Sequence, residues 1–138
     1  MTDLELAKNN LVGHAVCFAK DGKIIVLDGR GVAPLLKIID EKCLDGFSVA
    51  DRVVGKAAAM LFAKMGIKAV CGKVMSKAGK SYLESKHIVC ECESLVDKII
   101  NRAGTDICPM EKTVQDVFDE DEAYLLLARK VEELRSAK

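Results

Sequence analysis

Tryptophan is missing from this chain of 138 residues, and aromatic residues make up only 4% of it. Such scarcity argues against the stacking platforms on which single-stranded RNA or DNA is held. Net charge is missing as well, because 21 Lys and Arg balance 21 Asp and Glu. No global basic field draws the chain to nucleic acid or to an anionic membrane, so any anion binding must come from a local site. No apolar run reaches about 18 residues without a charge, and no membrane span is expected. The first ten residues carry Asp3, Glu5 and Lys8 and lack an apolar core. They read as no signal peptide, and the protein is expected to be cytoplasmic.

What is present is an ordinary globular balance, half hydrophobic and 30% charged, at a length that suits one domain over residues 1–138. Six cysteines occur, at 17, 43, 71, 90, 92 and 108. Most lie inside apolar runs, a pattern of buried thiols in a reducing compartment rather than of a disulfide scaffold.

Residues 2–10 read as a short helix capped by Thr2, with Glu5 three residues on. Val12 to Ala19 and Lys23 to Asp28 read as two antiparallel strands about an Asp21-Gly22 turn. A helix from about Val32 to Glu41 follows, with Pro34 tolerated in its first turn. Ser48 to Met65 reads as one central, buried helix, since Val49, Val53, Ala57, Leu61 and Met65 recur at intervals of four and Gly66 ends it. Ile67 to Met75 is a third predicted strand and Lys77 to Lys86 a helix. Ile88 to Glu93 alternates as a half-exposed or edge strand, with Cys90 and Cys92 on its apolar side. Leu95 to Arg102 reads as a short amphipathic helix, and helices from Pro109 and Glu120 close the chain. A hairpin followed by strand–helix–strand units predicts an α/β sandwich with a mixed sheet and helices on both faces.

Three stretches carry candidate chemistry. Gly29-Arg30-Gly31 follows an apolar strand and opens onto a helix. Glycines there free the backbone to turn and expose its N–H groups, and Arg30 offers a planar fork of donors for phosphate or carboxylate. The competing reading is a tight turn with a solvated arginine. Ser48-Val49-Ala50-Asp51 matches a capping box, in which Asp51 would fold back on the cap. A functional reading instead places Asp51 at the mouth of a pocket, with Arg52 and Lys56 four apart on one helix face and Gly55 between them. Pro109 fits a first helical position and makes Cys108 the cap, where a thiolate is favoured and a nucleophile could form. Neither His14 nor His87 is placed in sequence as an evident base for it. Cys90-Glu91-Cys92 reads as core packing, since a zinc site needs two further ligands at credible spacing.

Read together, Gly29-Arg30-Gly31-Val32-Ala33-Pro34, Ser48 through Ala59, and Asn101-Arg102 through Cys108-Pro109-Met110-Glu111 resemble a small prokaryotic family of domains of unknown function. The resemblance covers roughly Leu4 to Leu127 and implies a cytidine-deaminase-like fold, a three-layer α/β/α sandwich. Deaminase chemistry does not carry over with it. Zinc deaminases use His-x-Glu at the start of the central helix and Pro-Cys-x-x-Cys at the next. Here those regions read Ser48-Val49-Ala50-Asp51-Arg52 and Ser76-Lys77-Ala78-Gly79, so no metal and no other cofactor are expected. The expected function is binding of a phosphate-bearing or nucleotide-type ligand by Gly29, Arg30, Gly31, Asp51, Arg52 and Lys56. Two readings stand beside it: an enzyme with Cys108 as nucleophile and Asp51 as acid–base partner, and a structural module or homo-oligomer built on an edge strand.

Overall fold

The computed structural model describes residues 1–136. Helix α1 (Asp3–Asn9) is capped as the sequence predicts, with the Thr2 hydroxyl accepting from the Glu5 N–H at 3.1 Å. Strands β1 (Val16–Lys20) and β2 (Lys23–Leu27) pair antiparallel. Asp21 and Gly22 both take left-handed angles between them, at φ 48° and 82°, as a two-residue hairpin turn of this hand requires. Helix α2 (Ala33–Glu41) carries Pro34 in its first turn, where no helical N–H is lost.

Ser48–Val54 departs from the sequence reading. It is a strand, β3, not the first half of a helix. It pairs antiparallel with β1 and parallel with β4 (Ala69–Ser76), so its backbone groups are satisfied on both sides. Its β-branched Val49, Val53 and Val54 suit that position. Helix α3 (Lys56–Met65) begins only after Gly55. The interval of four from Val49 through Val53 to Ala57 therefore runs across a strand–helix junction by coincidence. Ser48 and Asp51 form no capping box, and Arg52 and Lys56 share no helix face. The central helix is otherwise as expected: Ala57, Ala58, Ala59, Met60, Leu61 and Phe62 are all buried, and Gly66 closes it at φ 79°.

A second correction concerns residues 95–102. Leu95 and Val96 belong to β5 (Val89–Val96), paired with Met75 and Ser76 of β4. Beyond them the chain is a loop rather than an amphipathic helix. Ile100 bridges to Ile107, and the Asn101 side-chain oxygen accepts from the N–H of Thr105 at 3.0 Å. Such local side-chain bonding competes with helix formation. The sheet thus has five strands instead of four, in the order β2-β1-β3-β4-β5.

Helix α4 (Lys77–Ser85) joins β4 to β5, and α5 (Pro109–Thr113) and α6 (Glu120–Ser136) follow. One face of the sheet is covered by α1 alone, where Ala7 and Leu11 pack on Cys17, Ala19, Ala50 and Cys71. The remaining helices pack on the other face around the larger core, in which the Phe18 and Phe62 rings meet edge to face at 6.4 Å. Cys90 and Cys92 lie half-buried against that core, as the alternation of β5 predicts. No helix among the described residues is long and apolar enough to cross a membrane.

Candidate functional site

A cavity of about 290 Å³ opens at the carboxyl ends of β2 and β3, the side of an α/β sheet where loops are free to vary and ligands are usually held. The start of β1 and the start of α3 form part of its wall, and four further segments bring its polar groups. The β2–α2 loop supplies Gly29, Arg30, Gly31 and Val32, and β3 supplies Asp51, Arg52 and Val53. The loop after β5 supplies Ile99 and Arg102, and α5 with its cap supplies Cys108, Met110 and Glu111.

The Gly-Arg-Gly loop has the backbone its sequence predicts. Gly29 at φ 108° and Gly31 at φ 63° both lie in the left-handed region, where a side chain is strained. Among the described residues, the N–H groups of Gly29, Arg30 and Gly31 find no acceptor, and no side chain caps α2. Exposed Arg30 and Arg102 reach the cavity from opposite loops. Arg52 is anchored, its Nε donating to the His14 carbonyl at 2.7 Å.

Two carboxyl groups face these three guanidinium groups. Glu111 is engaged: its two oxygens accept from the N–H of Lys56 at 2.8 Å and of Ala57 at 2.9 Å. It thereby fills the first turn of α3, where N–H groups lack helical partners and the dipole favours negative charge. A Cβ at Gly55 would overlap this carboxylate, so glycine is the residue that lets Glu111 in. Asp51 is only 8% exposed, with no cation at salt-bridge distance among the described residues. Burial pushes its carboxyl up to about 7 against the opposing pull of the Val53 and Arg52 N–H groups and the Arg52 charge. Near neutral pH the cavity therefore holds three cations against one committed carboxylate and one half-protonated acid.

Cys108 caps α5 and is half-buried at the cavity wall, without a side-chain hydrogen bond to the helix. His14 does have a partner that sequence reasoning missed, with Nδ1 2.9 Å from the Asp28 carboxylate just before the glycine loop. Among the described residues no three His, Cys, Asp or Glu side chains are arranged to hold a metal ion.

The family described as "TM1506: Domain of unknown function (DUF1893)" matches residues 5–131. The chain belongs to this DUF1893 family. A solved DUF1893 family protein (TM1506) from Thermotoga maritima has the same fold. It superposes with a TM-score of 0.84 over 94% of this chain and 91% of that one, at 20% sequence identity. No curated protein sequence matches the chain.

For this DUF1893 chain, the structure brings together six of the seven residues singled out in the sequence: Gly29, Arg30, Gly31, Asp51, Arg52 and Cys108. Lys56 is the exception. As the first residue of α3 it turns to the other side, where its ammonium donates to the Gln115 carbonyl at 3.1 Å and sits 4.8 Å from the Phe118 ring centre. Arg102 and Glu111 are the additions. Both stand in the third motif, but no local pattern reveals that Arg102 shares a cavity with Arg30, or that Glu111 caps a helix 54 residues away in sequence.

Proposed function

We propose that this DUF1893 protein binds a phosphate-bearing small molecule, of nucleotide type, in the arginine-lined cavity. The observation that carries the proposal is the meeting of Arg30, Arg52 and Arg102, drawn from three segments, around a backbone loop with free N–H groups. Guanidinium forks and unpaired amides suit phosphate oxygens, and the Glu111 carboxyl is already spent on α3. The reading includes a cytidine-deaminase-like sandwich without zinc deaminase activity. A five-stranded mixed sheet between helical layers supports the first part, and the helix starts Gly55-Lys56-Ala57 and Ser76-Lys77-Ala78 support the second. A thermal-shift panel of phosphate compounds tests the binding. Ligand at a hundred times its dissociation constant stabilises by about 2.7 kcal/mol, a clear rise in Tm. That rise should vanish in Arg30→Ala and Arg102→Ala, and a flat response to every phosphate compound sinks the proposal.

A second reading makes Cys108 a nucleophile with Asp51 as its acid–base partner, and the observation in its favour is that both line one cavity. It requires iodoacetamide to alkylate Cys108 faster than an ordinary exposed thiol, and slower alkylation rules it out. A third, self-association along β5, has in its favour that β5 ends the sheet with Val89 66% exposed. Light scattering that finds only monomer removes it.

A further inference from the structure

A second cavity, of about 480 Å³, opens at the carboxyl end of β4 beside the start of α4. Ile99 and Glu111 line both cavities, so the two are neighbouring lobes of one depression. Their chemistry differs. The first lobe is ringed by arginines, whereas Ala78, Ile99, Ile107 and Phe118 give the second broad apolar walls. Phe118 is 76% exposed, and every other aromatic residue is buried or half-buried. The Phe118 backbone carbonyl lies 3.3 Å from the Tyr82 hydroxyl, and the Lys56 ammonium sits over its ring at 4.8 Å from the centre. The polar groups on this lobe include the Ser81 hydroxyl and the Gln115 amide, whose side chains have no hydrogen-bond partner among the described residues.

An exposed ring beside unpaired donors and acceptors is the arrangement that holds a flat heterocycle, by stacking on its face and hydrogen bonding at its edge. We propose that the Phe118 lobe seats the base of a nucleoside 5′-monophosphate whose phosphate lies among Arg30, Arg52 and Arg102. This rests on the phosphate reading above and extends it to the ring end of the ligand. Phe118 supplies the stacking face, and Ser81 and Gln115 meet the edge of the base. The shared wall of Ile99 and Glu111 lies along the sugar.

Calorimetric titration with ribose 5-phosphate and with the four common nucleoside 5′-monophosphates separates the two ends. At least one monophosphate should bind about tenfold more tightly than ribose 5-phosphate, the scale of one base–aromatic stack. Phe118→Ala, a change at an exposed side chain, should abolish that advantage and leave ribose 5-phosphate binding unchanged. Arg102→Ala should weaken both. Equal affinity for sugar phosphate and nucleotides in the wild type overturns the base site while leaving the phosphate site standing. So does a nucleotide advantage that survives Phe118→Ala, or a loss of both affinities in that variant. If ribose 5-phosphate and all four nucleotides fail to bind, the phosphate reading falls and the base site with it.

Discussion

Asp51 is the residue at which burial and charge conflict most. The unfolded chain releases its proton near 3.8, and the folded chain holds it to about 7. Folding therefore takes up a proton between those values, and stability falls as pH rises through that window. Below about pH 3 the term is absent, because Asp51 is neutral in both states. Above pH 7 the folded chain carries a buried, unpaired charge that costs about 2–4 kcal/mol. Asp51→Asn keeps the acceptor for the Val53 N–H and removes the charge. It should raise Tm at pH 8 and leave it nearly unchanged at pH 4, and an equal effect at both values would refute the assignment. Glu111 has the opposite balance, since its charge is used twice on the start of α3. Glu111→Ala should cost about 2–3 kcal/mol in urea unfolding, as two hydrogen bonds to a charged acceptor disappear. Glu111→Gln should recover less than half of that, because one acceptor survives without its charge while the amide NH2 meets a backbone N–H.

Between elements, α4 packs tightly on the β3–α3 junction at the cavity wall. A Cβ at Gly79 would lie 2.9 Å from the Gly55 carbonyl carbon and 3.0 Å from its oxygen, both backbone atoms that cannot swing away. Replacing glycine by alanine inside a helix ordinarily gains about 1 kcal/mol, and overpacking of this kind costs about 1–3 kcal/mol. The clash wins, so Gly79→Ala should destabilise by about 1–2 kcal/mol in denaturant unfolding. A stabilised variant would show that α4 can slide. Gly31 makes the contrast, since its added Cβ meets nothing within 4 Å and only its φ of 63° resists. The element-scale reading of the sequence succeeded where one period ruled a whole segment, as in α1, α2, the β1–β2 hairpin and β5. It failed at Ser48–Val54 and at residues 95–102, where strand pairing with distant partners and Asn101's local bonds overrode the apolar spacing.

At the scale of the whole molecule, the sheet and its two covering layers sort the thiols by accessibility. Cys43 is exposed, Cys90, Cys92 and Cys108 are half-buried, and Cys17 and Cys71 are enclosed between α1 and the sheet. Burial also raises the pKa of Cys17 and Cys71, which lowers their thiolate fraction further. Native-state iodoacetamide labelling read by mass spectrometry should therefore modify Cys43 first, and Cys17 only through opening of the fold. Labelling of Cys17 at the rate of Cys43 would contradict the α1 packing. The same layering explains how a chain of zero net charge holds a cationic cavity. Arg30, Arg52 and Arg102 meet at one end of the sheet, where Asp51 is buried and Glu111 is bound to a helix.

The sequence by itself determined the α/β class, the hairpin, the buried helix ending at Gly66, the left-handed Gly29 and Gly31 and the facing of Cys90 and Cys92. Each of these rests on local spacing or on the backbone freedom of a single residue. Only the tertiary structure decided that Ser48–Val54 is a strand, that Asp51 is buried in the wall it shares with Arg30, that Lys56 lines the neighbouring lobe and that Arg102 and Glu111 join the site. Those outcomes depend on pairings between residues far apart in the chain, whose energy no window of neighbouring residues contains.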